Sequence, residues 1–422
     1  MSAIMRNQII YSIYPRNFSA QGDLKSITAQ LPRIKALGAD IIWLMPLHPI
    51  GRQNRKGTLG SPYAISDYRD INPELGSKED LKSLAEECHS QGLKLIIDVV
   101  YNHTSPDSVL WQQHPQWFYH KEDGRPGNRV GDWSDIIDLD YSHRELWDYQ
   151  IETLKQWAAI VDGFRCDVAS MVPLEFWLEA KRQVAEVNPH CLWLSESVDP
   201  QFLLDLRRRN IPVVSDVQIL QAFDATYDYD GYKMWRKVLG KELSLEGFAN
   251  YLNAQEWLYP EHYAKLRFVE NHDQDRAASL LQGSELKNWT ALSFFLHGPT
   301  LIYAGQERAL SHLPNLFERD SINWQDGEDL SAFLQSLGKL KHHPVMTDSI
   351  CTLKAAGGFI LGQQQGRKNQ GSLIGIFRVQ GQETQVKIEL PDGHYRNLLN
   401  DDEVEIKGGA LKAELCPVVL AR

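Results

Sequence analysis

The sequence contains no apolar run close to the roughly 18 residues that a membrane-spanning helix needs. The longest candidates, LKLIIDVVY and TLIYAG, are short, rich in β-branched residues and bounded by polar groups, as strands are. The first residues, MSAIMRNQIIYSIY, lack an apolar core followed by a small-residue cleavage site. We therefore expect no membrane partner and no secretory signal in the sequence as given.

Cysteine is scarce, with five in 422 residues. The five are scattered, odd in number and without paired spacing: Cys88, Cys166, Cys191, Cys351 and Cys416. This spacing argues against a zinc site and predicts free thiols in a reducing compartment. We therefore expect a cytoplasmic protein.

Clustered positive charge is also missing. The formal net charge is −11 at pH 7, and the chain has no Lys/Arg-rich block of the kind that a nucleic-acid binder shows. The sequence thus predicts no nucleic-acid partner and a neutral substrate. Aromatic residues are plentiful by contrast, with 12 Trp and 16 Tyr, and those exposed in a cleft would suit the apolar faces of sugar rings.

Strand-like and helix-like segments alternate along most of the chain. Eight apolar, β-branched runs are predicted as strands: QIIYSI (8–13), DIIWLM (40–45), KLIIDVV (94–100), VDGFRC (161–166), LWLSE (192–196), IPVVSDV (211–217), LRFVE (266–270) and TLIYA (300–304). Segments between them carry apolar residues at helical spacing, and two of these end at Gly38 and Gly92, as helix C-caps do. The alternation predicts an α/β fold with a parallel sheet, and eight strands predict a (β/α)₈ TIM barrel.

Two regions depart from this alternation. Residues 104–140, after the third strand, are irregular, aromatic-rich and too long for an ordinary connection, which predicts a short inserted B subdomain. Residues 345–422 contain short alternating runs broken by Gly, Asn and Asp-Gly turns, which predicts a C-terminal antiparallel β-sandwich domain. The barrel then comprises residues 1–103 and 141–344.

Polar residues gather where the predicted strands end. They are Asp98, Asn102 and His103 after the third strand, Arg165 and Asp167 after the fourth, Glu196 after the fifth, and His272 and Asp273 after the seventh. In barrels of this kind chemistry sits at the C-terminal ends of the strands. The stretch GFRCDVAS (163–170) alone fits either a buried ion pair or a carboxylate prepared for chemistry. Convergence of carboxylates from distant positions favours the second interpretation.

These segments resemble the α-amylase family, glycoside hydrolase family 13. Four segments match its signature regions in order: DVVYNH (98–103), GFRCDVA (163–169), LWLSES (192–197) and FVENHD (268–273). Further matches are IYSIYPRNF near the start, GSPYAISDYRDINPELGS, GPTLIYAGQE and RDSINW. The resemblance covers the whole barrel and implies its fold, and the family's C-terminal β-sandwich fits the residues after about 345.

The resemblance also implies roles for the matched residues. Asp167 would be the nucleophile of a retaining glycosidase, and Glu196 its general acid and base. Asp273 would be the third catalytic carboxylate, holding sugar hydroxyls and favouring the flattened ring of the transition state. The substrate-binding residues would be Tyr63, Asn102, His103, Arg165 and His272, with Tyr63 stacking on the sugar and Arg165 keeping the nucleophile ionised. Asp98 is expected to support the structure by orienting Arg165, and Glu270 matches only loosely and is left out.

The expected activity is hydrolysis of α-1,4-linked glucans or maltooligosaccharides by double displacement. Starch-degrading members typically carry a Lys-His pair after the nucleophile, where this chain has Ser170 and Met171, so cleavage of long polymers is in doubt. SDIIDLD (134–140) matches neither the oligo-1,6-glucosidase nor the neopullulanase form, so linkage preference stays open. An α-1,6-glucosidase or neopullulanase-like hydrolase, an α-glucosyltransferase and, remotely, a non-catalytic carbohydrate-binding paralogue are the alternatives.

The sequence predicts no required cofactor and no metal ligand. Its first loop lacks an Asp-x-Asn-x-Asp pattern, and Asn102 alone does not define a calcium site, so Ca²⁺ is left open and is not predicted. The expected partner is a neutral α-glucan or maltooligosaccharide, and the oligomeric state stays undetermined.

Overall fold

A computed structural model describes residues 5–131, 133–367 and 370–422. Its centre is a barrel of eight parallel strands: Ile9–Ile13, Ile41–Leu44, Lys94–Val99, Gly163–Cys166, Leu192–Ser195, Ala225–Tyr227, Lys265–Leu266 and Thr300–Tyr303. Neighbours in sequence are neighbours in the sheet, and the eighth strand pairs with the first. The barrel closes through a parallel bridge between Arg267 and Thr300. The predicted TIM barrel is therefore confirmed.

The strands are short and almost wholly buried because helices cover the outside of the barrel. All five residues of Ile9–Ile13 and all four of Ile41–Leu44 are buried. The α-helices span Pro15–Phe18, Leu24–Thr28, Leu31–Ala36, Lys78–Ser90, Val109–Gln113, Arg144–Ala158, Leu174–Val184, Pro200–Arg208, Asp216–Ile219, Tyr229–Leu239, Leu245–Leu258, Ala277–Leu280, Gly283–Phe295 and Ser331–Lys341. None of these described helices is both long and apolar enough to cross a membrane.

The sequence prediction of the sixth strand is wrong. Residues 211–215 of the run IPVVSDV form irregular chain and Asp216–Ile219 is a short helix, whereas the sixth strand is Ala225–Tyr227. The run is only partly buried, so its β-branched residues reflect local propensity that tertiary packing overrides. The seventh strand is also shorter than the predicted 266–270, because it spans only Lys265–Leu266.

The segment after the third strand folds over the mouth of the barrel. His103–Thr104 and Ile137–Asp138 form a small antiparallel pair that closes its base. Between them lie the helix Val109–Gln113 and a short 3₁₀ turn at Pro115–Trp117. The inserted segment therefore stands beside the ends of the strands that carry the predicted site.

The C-terminal region is antiparallel. One sheet contains Ser349–Ala356, Phe359–Gly366, Ser372–Arg378 and Val418–Ala421, and two smaller pairs are Gln385–Lys387 with Ala410–Lys412 and Gly393–Arg396 with Glu403–Ile406. Phe295, at the end of a barrel helix, packs where Gly362 and Gly375 leave room on the first sheet. A Cβ at Gly362 would lie 2.6 Å from the Phe295 ring, so glycine permits this close contact.

Candidate active site

Arg165 is the centre of the site. It stands opposite Asp98 in the register of the fourth and third strands, and both side chains are fully buried inside the barrel. Its Nη1 donates to both oxygens of Asp98, at 3.0 and 3.1 Å, and to Oδ1 of Asp167 at 2.8 Å. Its Nη2 lies 2.8 Å from Oε1 of Glu196. One guanidinium therefore contacts three carboxylates from three adjacent strands.

Glu196 is held on both oxygens. It directly follows the fifth strand, and its Oε2 accepts a hydrogen bond from the backbone N–H of Val168 at 2.9 Å. Its Oε1 accepts one from the hydroxyl of Tyr229 at 3.3 Å. Val168 has a left-handed backbone, φ 39° and ψ 39°, which is rare and strained for a β-branched residue. That conformation occurs immediately after Asp167. The sharp turn of the chain there directs the Val168 N–H toward Glu196.

Tyr63, His272 and Asp273 form the neighbouring wall. The Nε2 atom of His272 lies 2.7 Å from the Tyr63 hydroxyl and 3.1 Å from Oδ2 of Asp273. The Tyr63 hydroxyl also donates to Oδ2 of Asp98 at 3.3 Å, which ties this wall to the Arg165 cluster. Asp273 is the most exposed of the three, with 41% of its side chain accessible, so its carboxylate can meet a ligand in the cavity.

His103 and Asn102 lie at the base of the inserted segment. Both are buried, and Nδ2 of Asn102 donates to Nδ1 of His103 at 3.1 Å. The His103 ring lies 5.9 Å from that of Trp133, at the edge of the same cavity. Burial lowers the pKa of His103 to about 4, so the ring is neutral at neutral pH and can both donate and accept hydrogen bonds.

The two central carboxylates have raised pKa values. Burial raises the pKa of Asp167 to about 6, although the charge of Arg165 opposes the rise. Burial raises the pKa of Glu196 to about 7; Arg165 again opposes it and the like charge of Asp167 adds to it. Burial would also raise the pKa of Asp273, but His272 outweighs it and holds that pKa below its usual value. The environment thus favours a proton on Glu196 over one on Asp167 or Asp273.

The site opens into a cavity of about 460 Å³ that contains Asp167, Glu196 and Asp273. Several of its lining residues were not found from the sequence: Lys56, Trp133, Asp135, Phe202, Tyr229 and Phe317. Tyr229 was missed because it follows the sixth strand, which was placed in the wrong segment. Phe202 lies in the helix Pro200–Arg208, and the others lie in loops, where no periodicity marks a residue that faces a cavity.

Glu270 has a structural environment. It is buried, its Oε1 accepts a hydrogen bond from Arg276 at 2.6 Å, and its Oε2 accepts one from the N–H of Ala277 at 2.8 Å. Both oxygens are therefore occupied away from the cavity. Within the described ranges, no group of three or more His, Cys, Asp or Glu is placed to hold a metal ion.

Comparison with protein-family models identifies the family to which this site and fold belong. Residues 12–135 and 130–349 match the model of the alpha amylase catalytic domain. The chain belongs to the α-amylase family. Residues 361–420 match the bacterial alpha amylase C-terminal domain, which accounts for the antiparallel sheets after the barrel. The resemblance found in the sequence is thereby confirmed.

Solved structures of the α-amylase family resemble this chain along its whole length. An alpha-amylase from Lactobacillus plantarum is 44% identical, with a TM-score of 0.96 and complete coverage of both chains. The noncanonic maltogenic alpha-amylase AmyB from Thermotoga neapolitana is 32% identical, with a TM-score of 0.86 and 98% coverage of both. These similarities extend through the barrel and the C-terminal domain.

Curated relatives are longer and differ in activity. Alpha-amylase MalA from Haloarcula japonica is 29% identical over 80% of this chain and 49% of its own length. An alpha-1,4-glucan:maltose-1-phosphate maltosyltransferase from Myxococcus xanthus is 31% identical over 44% of this chain and 32% of its own. This chain spans about half the length of the first of these relatives. Proteins named as an amylase and as a maltosyltransferase thus both match parts of this chain.

Proposed function

We propose that this protein is a retaining α-glucoside hydrolase that acts on α-1,4-linked glucans or maltooligosaccharides. The observation that carries the proposal is the contact of Asp167 and Glu196 with one guanidinium, that of Arg165. Carboxylates that share one guanidinium lie close together, as retaining glycosidases require, whereas inverting enzymes separate the pair to admit a water molecule.

In the first step, Asp167 attacks the anomeric carbon while Glu196 protonates the glycosidic oxygen as it leaves. Glu196 is suited to this role because its raised pKa keeps a proton available near neutral pH. Asp167 is suited to attack because it lines the cavity and Arg165 stabilises its ionised form against the effect of burial. In the second step the deprotonated Glu196 activates water, and the covalent glycosyl-enzyme is hydrolysed with net retention.

The remaining residues of the site would bind the reacting sugar. Tyr63 lines the cavity and can pack on an apolar sugar face, and the buried His272 ring lies beside it at an interplanar angle of 14°. Asp273 has an ionised, accessible carboxylate that can accept hydrogen bonds from ring hydroxyls. His103 is neutral and lies across the cavity, where it can bind another hydroxyl.

Two observations favour an α-glucan as the substrate. Two solved relatives that match this chain over at least 98% of both chains, at 44% and 32% identity, are named alpha-amylases. The cavity offers carboxylates, hydroxyls and aromatic rings, which suit a neutral polyol. Glucosyl transfer is the second candidate, because a maltosyltransferase is among the curated relatives. The same triad would then pass the glycosyl group to a sugar hydroxyl instead of water.

Product analysis tests the proposal. Maltooligosaccharides, cyclodextrin, pullulan, isomaltose and sucrose would be incubated separately, with products resolved over time and early products examined by proton NMR. We expect α-configured products and the fastest turnover on maltooligosaccharides. β-Configured initial product would contradict retention. Faster cleavage of isomaltose, or release of maltotriose from pullulan through its α-1,6 bonds, would contradict the α-1,4 assignment. Excess maltose that diverts most product into longer sugars would instead support the transferase.

A further inference from the structure

The two ends of the catalytic cavity differ, and barrel order identifies them. The second and eighth strands flank the first, so the loops that follow them lie across the mouth from the fifth strand. The fifth strand carries Glu196, which protonates the leaving oxygen in the proposed function. The leaving-group sugar therefore lies on the fifth-strand side, and the donor part of a glucan extends toward the loops after the second and eighth strands.

An ion pair closes the donor end. Lys56, in the loop after the second strand, places Nζ 3.0 Å from Oδ1 of Asp135 in the inserted segment. The same ammonium group lies 5.9 Å from the centre of the Phe317 ring, in the loop after the eighth strand. All three side chains line the cavity that contains the catalytic carboxylates. The pair therefore spans the cavity from loop to inserted segment at the end away from Glu196.

The loop that carries Lys56 is fixed at both sides. Oδ2 of Asp107, in the inserted segment, accepts hydrogen bonds from the backbone N–H groups of Arg52 and Gln53, at 2.8 and 3.2 Å. Oε1 of Glu318, in the loop after the eighth strand, accepts one from the N–H of Thr58 at 2.8 Å. The ion pair is therefore mounted on an anchored loop and forms a fixed wall.

The leaving-group end is open. A second cavity of about 610 Å³ shares Asp199, Tyr229 and Asp273 with the catalytic cavity. It continues over the helix that follows the sixth strand, where Lys233 places Nζ 2.8 Å from Oδ1 of Asp199. Charged and hydroxyl groups here can bind the hydroxyls of further sugars. A chain that is stopped at the donor end can thus leave the site in this direction.

We infer that the enzyme attacks chain ends, with the non-reducing end of the glucan stopped by Lys56 and Asp135. The ammonium group can donate to terminal hydroxyls and the carboxylate can accept from them, so the pair both blocks longer donors and recognises the end. Lys56 is in this view a specificity-determining residue and takes no part in bond cleavage. The inference rests on the proposed function and adds the direction and the end at which the chain is cleaved.

The test compares two forms of one substrate, nitrophenyl α-maltoheptaoside with a free non-reducing end and the same compound with an ethylidene cap on that terminal glucose. Products are separated by chromatography. We expect the wild type to cleave the capped form at least about 10-fold more slowly, because the cap cannot fit against the wall. Lys56→Ala should raise the capped-to-free rate ratio by about 10-fold, since the wall is removed.

Two variants serve as controls. Lys56→Arg keeps a cation of similar reach and should leave the ratio unchanged, as should Gln53→Ala, which alters an exposed side chain of the same loop. Asp135→Asn weakens the pair from the other partner and should raise the ratio, which keeps the test decisive if Lys56→Ala does not fold.

The outcomes are distinct. Failure of the wild type to cleave either form would overturn the proposed function itself. Equal cleavage of both forms by the wild type would overturn chain-end attack and leave the hydrolase proposal standing. Rejection of the cap by the wild type, with an unchanged ratio in Lys56→Ala and Asp135→Asn, would show that these residues are not the stop.

Discussion

At the scale of single residues, the chemistry depends on how differently Arg165 contacts its carboxylate partners. Asp98 is fully buried and binds Nη1 through both oxygens, whereas Asp167 binds through one and faces the cavity. The sequence alone allowed Asp167 to be either a structural partner or a catalytic group. In the structure, the fully buried Asp98 holds Arg165 in place, whereas Asp167 lines the cavity. The structural role therefore belongs to Asp98, and Asp167 is available for catalysis.

We expect Asp167→Asn to lose several orders of magnitude of activity with little change in melting temperature. The variant removes the nucleophile's charge, but Arg165 keeps Asp98, its fully buried partner, as a counter-charge. Asp98→Asn should behave differently, lowering the free energy of unfolding by about 3 kcal/mol, because Asp98 is fully buried and accepts hydrogen bonds from Arg165 at both oxygens. Thermal unfolding and initial rates on maltoheptaose check both. Equal melting temperatures for the two variants would contradict this assignment.

The pKa values of the carboxylates predict a bell-shaped pH dependence of kcat/KM. The rate should fall as pH drops through about 6, where Asp167 becomes protonated and cannot attack. It should also fall as pH rises through about 7, where Glu196 loses the proton that it must donate. With α-maltosyl fluoride, whose leaving group needs no proton, the alkaline fall should disappear. An alkaline fall of equal size on both substrates would exclude Glu196 as its cause.

At the scale of secondary structure, sequence patterns located the strands that are apolar and buried on both faces. They failed at the sixth strand, since ATY (225–227) is too short to show a pattern while the nearby IPVVSDV has stronger β propensity. This error also affected the predicted site, because Tyr229, which lines the cavity, follows the strand Ala225–Tyr227. Lys56 and Phe317 could not be predicted either, since the path of a loop depends on contacts that are distant in sequence.

The short seventh strand relies on side-chain ion pairs. Lys265 is fully buried and its ammonium group contacts Asp216, in the helix that the sequence had suggested as strand, and Asp230 at 2.8 Å. Lys265→Met should lower the free energy of unfolding by roughly 3 to 5 kcal/mol, because the buried Asp230 and the partly buried Asp216 lose their cation. Denaturant unfolding measures the loss, with hydrogen exchange across Ala225–Tyr227 as a local readout. Lys237→Met, at a partly exposed position, is the matched control and should match the wild type.

At the scale of the whole molecule, the C-terminal domain is joined to the barrel by specific contacts. Nε2 of Gln364, in the first C-terminal sheet, donates to the carbonyl of Phe295 at 2.7 Å, and the adjacent carbonyls of Phe294 and Leu296 accept from Lys341 of the last barrel helix. These bonds satisfy carbonyls at the end of a barrel helix, next to the ring that packs on the sheet. The sequence predicted the domain and its strand type, whereas this contact depends on the absence of side chains at two glycines.

We therefore expect the two domains to unfold in one cooperative transition, and Gly362→Leu to lower its midpoint. The added side chain would collide with the Phe295 ring, and overpacking of this kind costs about 1 to 3 kcal/mol. Differential scanning calorimetry measures both effects. Gly393→Ala is the control, because its added Cβ would meet only the Tyr395 side chain at 3.8 Å. Two separate transitions in the wild type would contradict the coupling.

The left-handed backbone of Val168 has a consequence for how the protein responds to heat. Strain of this kind costs of order 1 to 3 kcal/mol and persists only while its surroundings enforce it. The N–H group that binds Glu196 belongs to this residue, so a small loosening of the barrel mouth would let the backbone relax and release the acid. Warming should therefore inactivate the enzyme reversibly at temperatures where the barrel is still folded. The midpoint of activity loss should lie below the melting temperature.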